Sequence, residues 1–366
     1  MMRRDRNHPC VIAWELSLNE TGFSSTYANT AYSIGHAEYP GDQCFVAGWE
    51  IAGTSYPDVY IATPSAGART YTGSKPLIVD EYGQWEYQQA GNLYTNVHRG
   101  DIGDGGYYGE AAMINQAANH QDGLNQNRGM TYLCGDALWV GIDYGPYPQG
   151  VLDSFRLPKF SYYFFQSQRD PNLLITGVAS GPMVHIANYW TSSSPTTVKV
   201  YSNCEQVNLY INNVLMATQN PDCDVNSTNL PHPPFTFTGL TFQSGELKAE
   251  GLIGGQVVAT HTVKTPGTAT ALSVAFDVNN VPANGSETIA VNASIIDSNG
   301  TLVPTASSTN VTFSVTGQAA LASPPTIRSE AGIATAYIRV TDQPGLITVT
   351  ATASGLTSGN VAITSE

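Results

Sequence analysis

Lys75-Pro76-Leu77-Ile78-Val79-Asp80-Glu81-Tyr82-Gly83 contains a short apolar run that ends in two carboxylates. A second run, Val11-Ile12-Ala13-Trp14, has the same form and continues at 15–20 as Glu-Leu-Ser-Leu-Asn-Glu. Continuous apolar runs of this length are typical of strands buried on both faces of a parallel sheet. Helix-compatible patterns lie at 24–38 and 108–119. The alternation of the two kinds of segment predicts an α/β barrel.

Each apolar run delivers a carboxylate at its end. In a parallel barrel the carboxyl ends of the strands meet at the active-site mouth, so we expect Glu20 and Glu81 there. Hydrolysis of a glycoside with retention needs two carboxyl groups about 5 Å apart, which two strand ends can supply. Asp80 competes with Glu81, but strand alternation directs it away if Glu81 faces the mouth. For Glu20 the alternative is a solvated carboxylate at an ordinary strand exit.

After residue 171 the pattern changes to short β-like runs separated by turn-forming residues, for example Val198-Lys199-Val200-Tyr201. Such runs are typical of β-sandwiches. A Thr-Pro-Gly-Thr linker at 265–268 precedes another region of alternating Val, Ile, Thr and Ser. We therefore predict a partial TIM-barrel catalytic domain at 1–171 and two immunoglobulin-like β-sandwiches at 172–266 and 267–366. The predicted fold class is multidomain, α/β plus all-β.

Charge and hydropathy argue against two classes of partner. The formal net charge of -14 argues against nucleic acid, because phosphate binding needs clustered Lys and Arg. No apolar stretch approaches the roughly 18 residues that span a bilayer, so no membrane partner is predicted. Met1-Met2-Arg3-Arg4-Asp5 lacks the apolar core of a secretion signal. We nevertheless expect a secreted, periplasmic or cell-surface protein with a neutral or weakly charged ligand.

The chain has five cysteines, and no pair has the spacing of zinc ligands, so no metal is predicted. Cys204 and Cys223 flank a predicted hairpin. A disulfide between them stays open, because the sequence does not fix the separation of their Cα atoms.

Several short motifs occur in an order that a known family uses. They are Arg-Asp-Arg-Asn-His-Pro at 4–9, Leu-Asn-Glu at 18–20, Glu-Tyr-Gly at 81–83, Phe-Arg-Leu-Pro-Lys-Phe at 155–160 and Gln-Arg-Asp-Pro at 168–171. Through them the chain resembles glycoside hydrolase family 2, which contains β-galactosidases, β-glucuronidases and β-mannosidases. The resemblance implies a (β/α)8 TIM barrel, of which this chain carries about strands 4 to 8. It also implies retaining, exo-acting hydrolysis of a β-glycoside, with a β-galactoside as the default substrate.

The resemblance assigns roles to individual residues. Glu20 matches the general acid/base on the fourth barrel strand, and Glu81 matches the nucleophile on the seventh. Asn19 matches the residue that holds the sugar 2-hydroxyl. Trp139 falls where the family has an aromatic wall for the sugar ring, although a core role is the alternative for this side chain. The implied double displacement requires no cofactor.

Other aromatic residues are candidates for the substrate pocket. Tyr60 and Trp85 are assigned to substrate binding, and for both a packing or surface role is the alternative. His120 is a further candidate for the pocket, with the same alternative. Because it stands alone without ligand spacing, we do not assign it to a metal.

The barrel-like region is short for a complete barrel. Eight βα units take about 250 residues, and the acid/base strand here lies close to residue 1. We expect an N-terminal segment, a partner chain or a homo-oligomer to complete the barrel, since an open half-barrel exposes strand edges. A catalytically inactive carbohydrate-binding or structural remnant is one alternative function, and a cell-surface adhesion protein is another.

Overall fold

The computed structural model describes residues 1–15, 23–39, 41, 44–46, 57–62, 71–73, 75–84, 87, 91, 95–103, 106–145 and 147–366. Two units are distinguished by their internal contacts. Unit 1 comprises Met1–Thr95, Asn119–Gly141 and Asp224–Leu230, and unit 2 comprises Asn96–Ala118, Ile142–Cys223 and Pro231–Glu366. The helices of the described residues are α1 (Met2–Asp5), α2 (Ser25–Glu38), α3 (Gly109–Arg128) and α4 (Phe160–Ser167).

Unit 1 contains short parallel strands. They are β1 (Ala13–Glu15), β2 (Cys44–Val46), β3 (Tyr60–Ala62), β4 (Leu77–Tyr82) and β7 (Leu133–Leu138), while β5 (Val97–His98) and β6 (Tyr107–Tyr108) belong to unit 2. β1 pairs with β2, and a three-stranded sheet has the order β3-β4-β7 with every pair parallel. The predicted strand at 77–79 is thus confirmed as part of β4. The one predicted at 11–14 is confirmed only for Ala13 and Trp14, since β1 begins at Ala13 and Ile12 is 79% exposed. The partial TIM barrel as a whole remains a prediction.

The cores of these sheets follow from the apolar runs. Val46, Val59 and Ile61 form one buried cluster against which Ile78 packs.

α2 begins at the N-cap Ser24, whose hydroxyl accepts a hydrogen bond from the Tyr27 N–H at 3.2 Å. The helix predicted at 24–38 is confirmed, and the second predicted helix extends beyond 119 to Arg128.

The first sandwich of unit 2 has two antiparallel sheets, β12-β9-β8 and β11-β10-β13-β14. Its strands are β8 (Val184–Ala187), β9 (Val198–Ser202), β10 (Gln206–Ile211), β11 (Val214–Gln219), β12 (Phe235–Phe237), β13 (Glu246–Ile253) and β14 (Gln256–Lys264). Alternate residues of both sheets, such as Val207 and Leu209 on β10 and Phe235 on β12, share one buried core. Trp190 lies in this core, is 1% exposed, and donates its indole N–H to the Gln243 carbonyl at 2.9 Å.

The second sandwich repeats this arrangement with the sheets β15-β16-β20-β18 and β19-β17-β21-β22. Its strands are β15 (Ala269–Phe276), β16 (Thr288–Asp297), β17 (Asn310–Gly317), β18 (Ala319–Leu321), β19 (Thr326–Arg328), β20 (Ile333–Val340), β21 (Gly345–Thr352) and β22 (Gly359–Ser365). Val291 on β16 and Val349 on β21, both fully buried, are two members of its core. Both predicted sandwiches are therefore confirmed, whereas the domain boundaries at 171 and 266 stay predictions.

The disulfide between Cys204 and Cys223, which the sequence left open, is not formed. Cys204 is buried and Cys223 is exposed, and neither forms a disulfide. The Cys204 thiol instead lies 3.7 Å from the Met183 carbonyl oxygen. Within the described part of the chain, no helix is long and apolar enough to cross a membrane.

Asp297, at the end of β16, links the second sandwich to the preceding segment at Gly267 by a hydrogen bond. Its carboxylate accepts hydrogen bonds from the backbone N–H groups of Gly267 at 2.8 Å, Asn299 at 2.8 Å and Thr301 at 2.9 Å. These donors favour the ionised form and hold the pKa of Asp297 below its ordinary value.

Replacing Asp297 with Asn is expected to lower the urea midpoint of the second sandwich at neutral pH. The folded-state pKa is depressed, so the stabilisation is complete above the unfolded pKa of about 3.9 and is lost as the pH falls below it. The difference between wild type and variant, followed by circular dichroism, should shrink there. Asp277→Asn is the matched control, since Asp277 accepts a single backbone N–H, from Ala290 at 3.1 Å. Equal effects of the two variants would contradict this account.

Candidate active site

Glu81 lies near the carboxyl end of β4 and is half-buried. Leu77 and Val79 before it are fully buried. In the pairing with β7, Val79 lies opposite Asp136 and Tyr82 lies opposite Leu138, so Asp80 and Glu81 together face one residue of β7. Such a β-bulge changes the direction of a side chain and is common next to active sites.

The bulge removes the structural reason for preferring Glu81 over Asp80. Simple alternation was used to choose between Asp80 and Glu81, and alternation does not hold across two residues that oppose one. Both carboxylates are half-buried and both carry interactions. The choice of Glu81 as nucleophile therefore rests on the Glu-Tyr-Gly motif.

Trp139 is brought to the same edge as Glu81. It follows β7 directly, is half-buried, and donates its backbone N–H to the Tyr82 carbonyl at 3.1 Å. The Trp139–Val140 peptide bond is cis. Because β4 and β7 are parallel neighbours, their carboxyl ends place Glu81 and Trp139 side by side in the fold.

Tyr60 is not brought to this edge. It begins β3 and pairs with Leu77 at the start of β4, four residues before Glu81, or roughly 13 Å along the strand. Its ring lies 5.6 Å from the ring of Tyr71, and the Lys75 ammonium lies 5.6 Å above it. These contacts correspond to the packing role that the sequence left open for Tyr60, and they argue against the predicted substrate contact.

Three predicted site residues lie outside the described residues. They are Glu20, Asn19 and Trp85. The assignments of Glu20 as acid/base and of Asn19 and Trp85 as substrate contacts therefore stay predictions. Among the residues that the structure describes, no group of three His, Cys, Asp or Glu side chains is arranged to hold a metal ion.

Directly after Glu81 and Tyr82, the chain at Gly83 packs closely against Leu138 and His120. Gly83 has a φ of +91°, and a Cβ there would lie 2.8 Å from Leu138 Cδ1 and 2.9 Å from His120 Cδ2. His120 is fully buried on α3, and Gln84, which follows the glycine, is 2% exposed. For His120 this is the packing role that the sequence left as the alternative to a place in the pocket, whereas Gln84 was not predicted. A polar residue directly after Glu-Tyr-Gly was the only available signal for Gln84.

Replacing Gly83 with Ala is expected to destabilise unit 1 by about 1–3 kcal/mol, because a left-handed backbone is strained for Ala and the new methyl group meets His120 and Leu138. Thermal unfolding measures the loss. Gly177→Ala is the matched control, since Gly177 has a φ of +76° and open space around it. A loss at Gly83 no larger than at Gly177 would show that the packing against His120 is not tight.

Asp143 is a buried ion-pair partner in unit 2. Its Oδ1 accepts hydrogen bonds from the Lys159 ammonium at 2.7 Å and from the Gly150 N–H at 2.6 Å. Lys159 is fully buried and also donates to the Pro148 carbonyl at 3.1 Å. Burial raises the pKa of Asp143 to about 6, although the Lys159 cation opposes the shift.

Two segments of the chain match known sequence families, and several known proteins are similar over longer stretches. Residues 272–362 match the family described as glycoside hydrolase family 2 C-terminal domain 5, and residues 193–259 match a domain of unknown function, DUF4982. A β-galactosidase of Thermoanaerobacter pseudethanolicus is 29% identical over 95% of this chain and 47% of its own length. A β-glucuronidase of Formosa agariphila is 30% identical over 51% of this chain and 19% of its own length.

Solved structures show the same fold. A β-glycosidase from Bacteroides vulgatus superimposes with a TM-score of 0.75 and 18% identity, over 99% of this chain and 52% of that protein. A β-glucuronidase from glycoside hydrolase family 2 superimposes with a TM-score of 0.73 and 22% identity, over the whole of this chain and 39% of that protein. This chain thus spans about half the length, or less, of the proteins that it matches.

Proposed function

Because this chain belongs to glycoside hydrolase family 2 and corresponds to a C-terminal portion of it, we propose that it contributes the nucleophile and the acid/base to a retaining, exo-acting β-glycosidase. The observation that carries the proposal is Glu81 at the carboxyl end of a parallel strand, beside Trp139 on the neighbouring one. A β-galactoside is the proposed substrate, since the β-galactosidase relative aligns with 95% of the chain.

The proposed reaction proceeds in two displacements. The Glu81 carboxylate attacks the anomeric carbon while Glu20 gives its proton to the departing glycosidic oxygen, so that a glycosyl ester of Glu81 forms. Water then attacks the same carbon, Glu20 takes its proton, and the ester bond breaks to release the sugar and regenerate the Glu81 carboxylate. Trp139 offers a flat apolar face to the sugar ring, and Asn19 binds its 2-hydroxyl.

We propose further that β1 to β4 and β7 are the last five strands of an eight-stranded barrel. The remaining strands would come from an N-terminal segment, a partner chain or a second copy of this chain. The coverage of 47% of the β-galactosidase relative supports this arrangement. β1 and β3 stand at sheet edges in the described residues, and completion of the barrel would cover such edges.

Covalent trapping tests the proposal directly. A 2-deoxy-2-fluoro-β-galactosyl fluoride should add one glycosyl group to Glu81, because the 2-fluorine slows both displacements while the fluoride leaving group keeps formation of the ester fast. Peptide mass spectrometry locates the label. The reaction is run on this chain and on the chain joined to the part of the Thermoanaerobacter relative that the alignment does not cover.

Labelling of Glu81 in either protein supports the proposal. A label on Asp80 would identify Asp80 as the nucleophile and overturn the assignment of Glu81. Absence of any label in both proteins, with galactoside binding retained, would favour the catalytically inactive carbohydrate-binding alternative.

A further inference from the structure

Unit 2 contains a cavity of about 610 Å³ that none of the parallel strands of unit 1 lines. Its wall is formed by residues of unit 2 at 99–101, 108–111, 189–195 and 304–308. Its volume falls within the roughly 300–1,000 Å³ of small-molecule sites. The cavity is thus large enough for a ligand of two or three sugar rings.

A buried arginine forms part of the wall. Arg99 is 6% exposed, its Nε donates to Asp153 at 2.7 Å, and its Nη2 donates to the Glu330 carbonyl at 3.2 Å. The backbone N–H of Arg99 also donates to the Glu330 carboxylate. Among the described residues, Nη1 has no hydrogen-bond partner, so it is the guanidinium nitrogen that remains for a ligand. A donor held this firmly on a cavity wall is preorganised for binding.

The charges around the cavity do not favour an anion. Glu110 and Asp101 line it together with Arg99, so two carboxyl groups face one cation. Glu110 is itself fixed in place, since its Oε1 accepts the Tyr189 backbone N–H at 2.5 Å. A donor and acceptors of opposite charge suit the hydroxyl groups of a neutral ligand, which both accept and donate hydrogen bonds.

The remaining wall combines hydroxyl groups with aromatic rings. Thr191, Ser307 and Ser308 line it, as do Tyr108 and Tyr189, although the Tyr189 ring packs against Phe160 with 5.6 Å between the ring centroids. Tyr108 is 46% exposed, so its flat face is available for contact. Aromatic faces pack against the apolar C–H surface of a sugar ring, while hydroxyls and charged groups bind its edge.

We propose that this cavity of unit 2 binds a neutral oligosaccharide. The cavity alone indicates a neutral polyhydroxylated ligand, and the choice of a carbohydrate rests on the proposed function. Such a site would hold a polymeric or branched substrate to the protein without taking part in bond cleavage.

The test measures binding of β-1,4-linked galactotriose by calorimetry in the Glu81→Gln variant, in which the ligand is not cleaved. Adding Tyr108→Ala should weaken binding at this site about tenfold, because a stacked ring is removed. Adding Thr305→Trp should block the site, since Thr305 is an exposed residue of the cavity wall. Tyr144→Ala is the matched control, because Tyr144 is 43% exposed and does not line the cavity.

Hydrolysis of a monosaccharide aryl galactoside should be unchanged by Tyr108→Ala in the otherwise wild-type protein. Galactotriose binding that neither Tyr108→Ala nor Thr305→Trp alters would overturn the inference, and so would tighter binding of digalacturonate than of galactotriose. Loss of binding in both cavity variants, in a protein without galactosidase turnover, would support the cavity site and reject the proposed function. The two failures are therefore distinguishable.

Discussion

Replacing Glu81 with Gln is expected to lower the rate of aryl β-galactoside hydrolysis by about 10⁴-fold or more, the scale seen when a covalent nucleophile is removed. An amide has nearly the shape of the carboxylate but cannot form the glycosyl ester. The measurement is the initial rate of nitrophenol release, on this chain and on the chain joined to the uncovered part of the Thermoanaerobacter relative.

Asp80→Asn is the matched control, because Asp80 shares the bulge with Glu81 and is equally half-buried. We expect its effect to remain within about tenfold, the scale of a lost polar contact. In Glu81→Ala, azide should restore turnover and give the α-glycosyl azide, because the anion attacks from the face that the carboxylate occupied. A large loss for Asp80→Asn with full activity in Glu81→Gln would exchange the two roles.

Replacing Lys159 with Met is expected to lower the free energy of unfolding by about 3–5 kcal/mol. The change leaves Asp143 buried without the cation that lies 2.7 Å from it. Urea unfolding followed by tryptophan fluorescence measures the loss. The double variant Asp143→Leu/Lys159→Met should recover a large part of it, since replacing a buried ion pair by apolar residues is often neutral.

The pH dependence of this effect has a defined sign. Burial raises the folded-state pKa of Asp143 to about 6 in the wild type, although Lys159 opposes the shift. Lys159→Met removes that opposition and raises the pKa further, so the uncompensated charge is present only above this higher pKa. Lowering the pH protonates Asp143 and should narrow the deficit relative to wild type. A deficit that stays constant from about pH 8 to about pH 5 would assign the loss to packing of the Lys159 side chain rather than to the ion pair.

The sequence predicted those parts of the fold that short-range patterns determine. The apolar run at 77–79 predicted β4, because a strand that is buried on both faces has apolar residues in succession. The alternating run at 289–295 predicted β16, because a strand that is buried on one face has apolar residues at every second position. Trp139 was assigned through the family resemblance, and the structure places its backbone N–H on the Tyr82 carbonyl at the end of β4.

Features that depend on pairing between distant segments were not predictable. The bulge at Asp80 and Glu81 exists only relative to β7, which lies about fifty residues further along the chain. The placement of Tyr60 depends on the register of β3 against β4. Arg99 is held by Asp153 and Glu330, which are remote in sequence, so no local motif marked the cavity that it lines.

The position of Trp190 decides what an optical experiment on this protein will report. The chain has tryptophans at 14, 49, 85, 139 and 190, so Trp190 is the emitter of the first sandwich and the second sandwich has none. Quenching or a red shift of the emission will follow solvent entry around Trp190, whereas melting of residues 269–365 will pass without a change in fluorescence intensity. A single engineered tryptophan in the second sandwich would let the same fluorescence measurement report its unfolding.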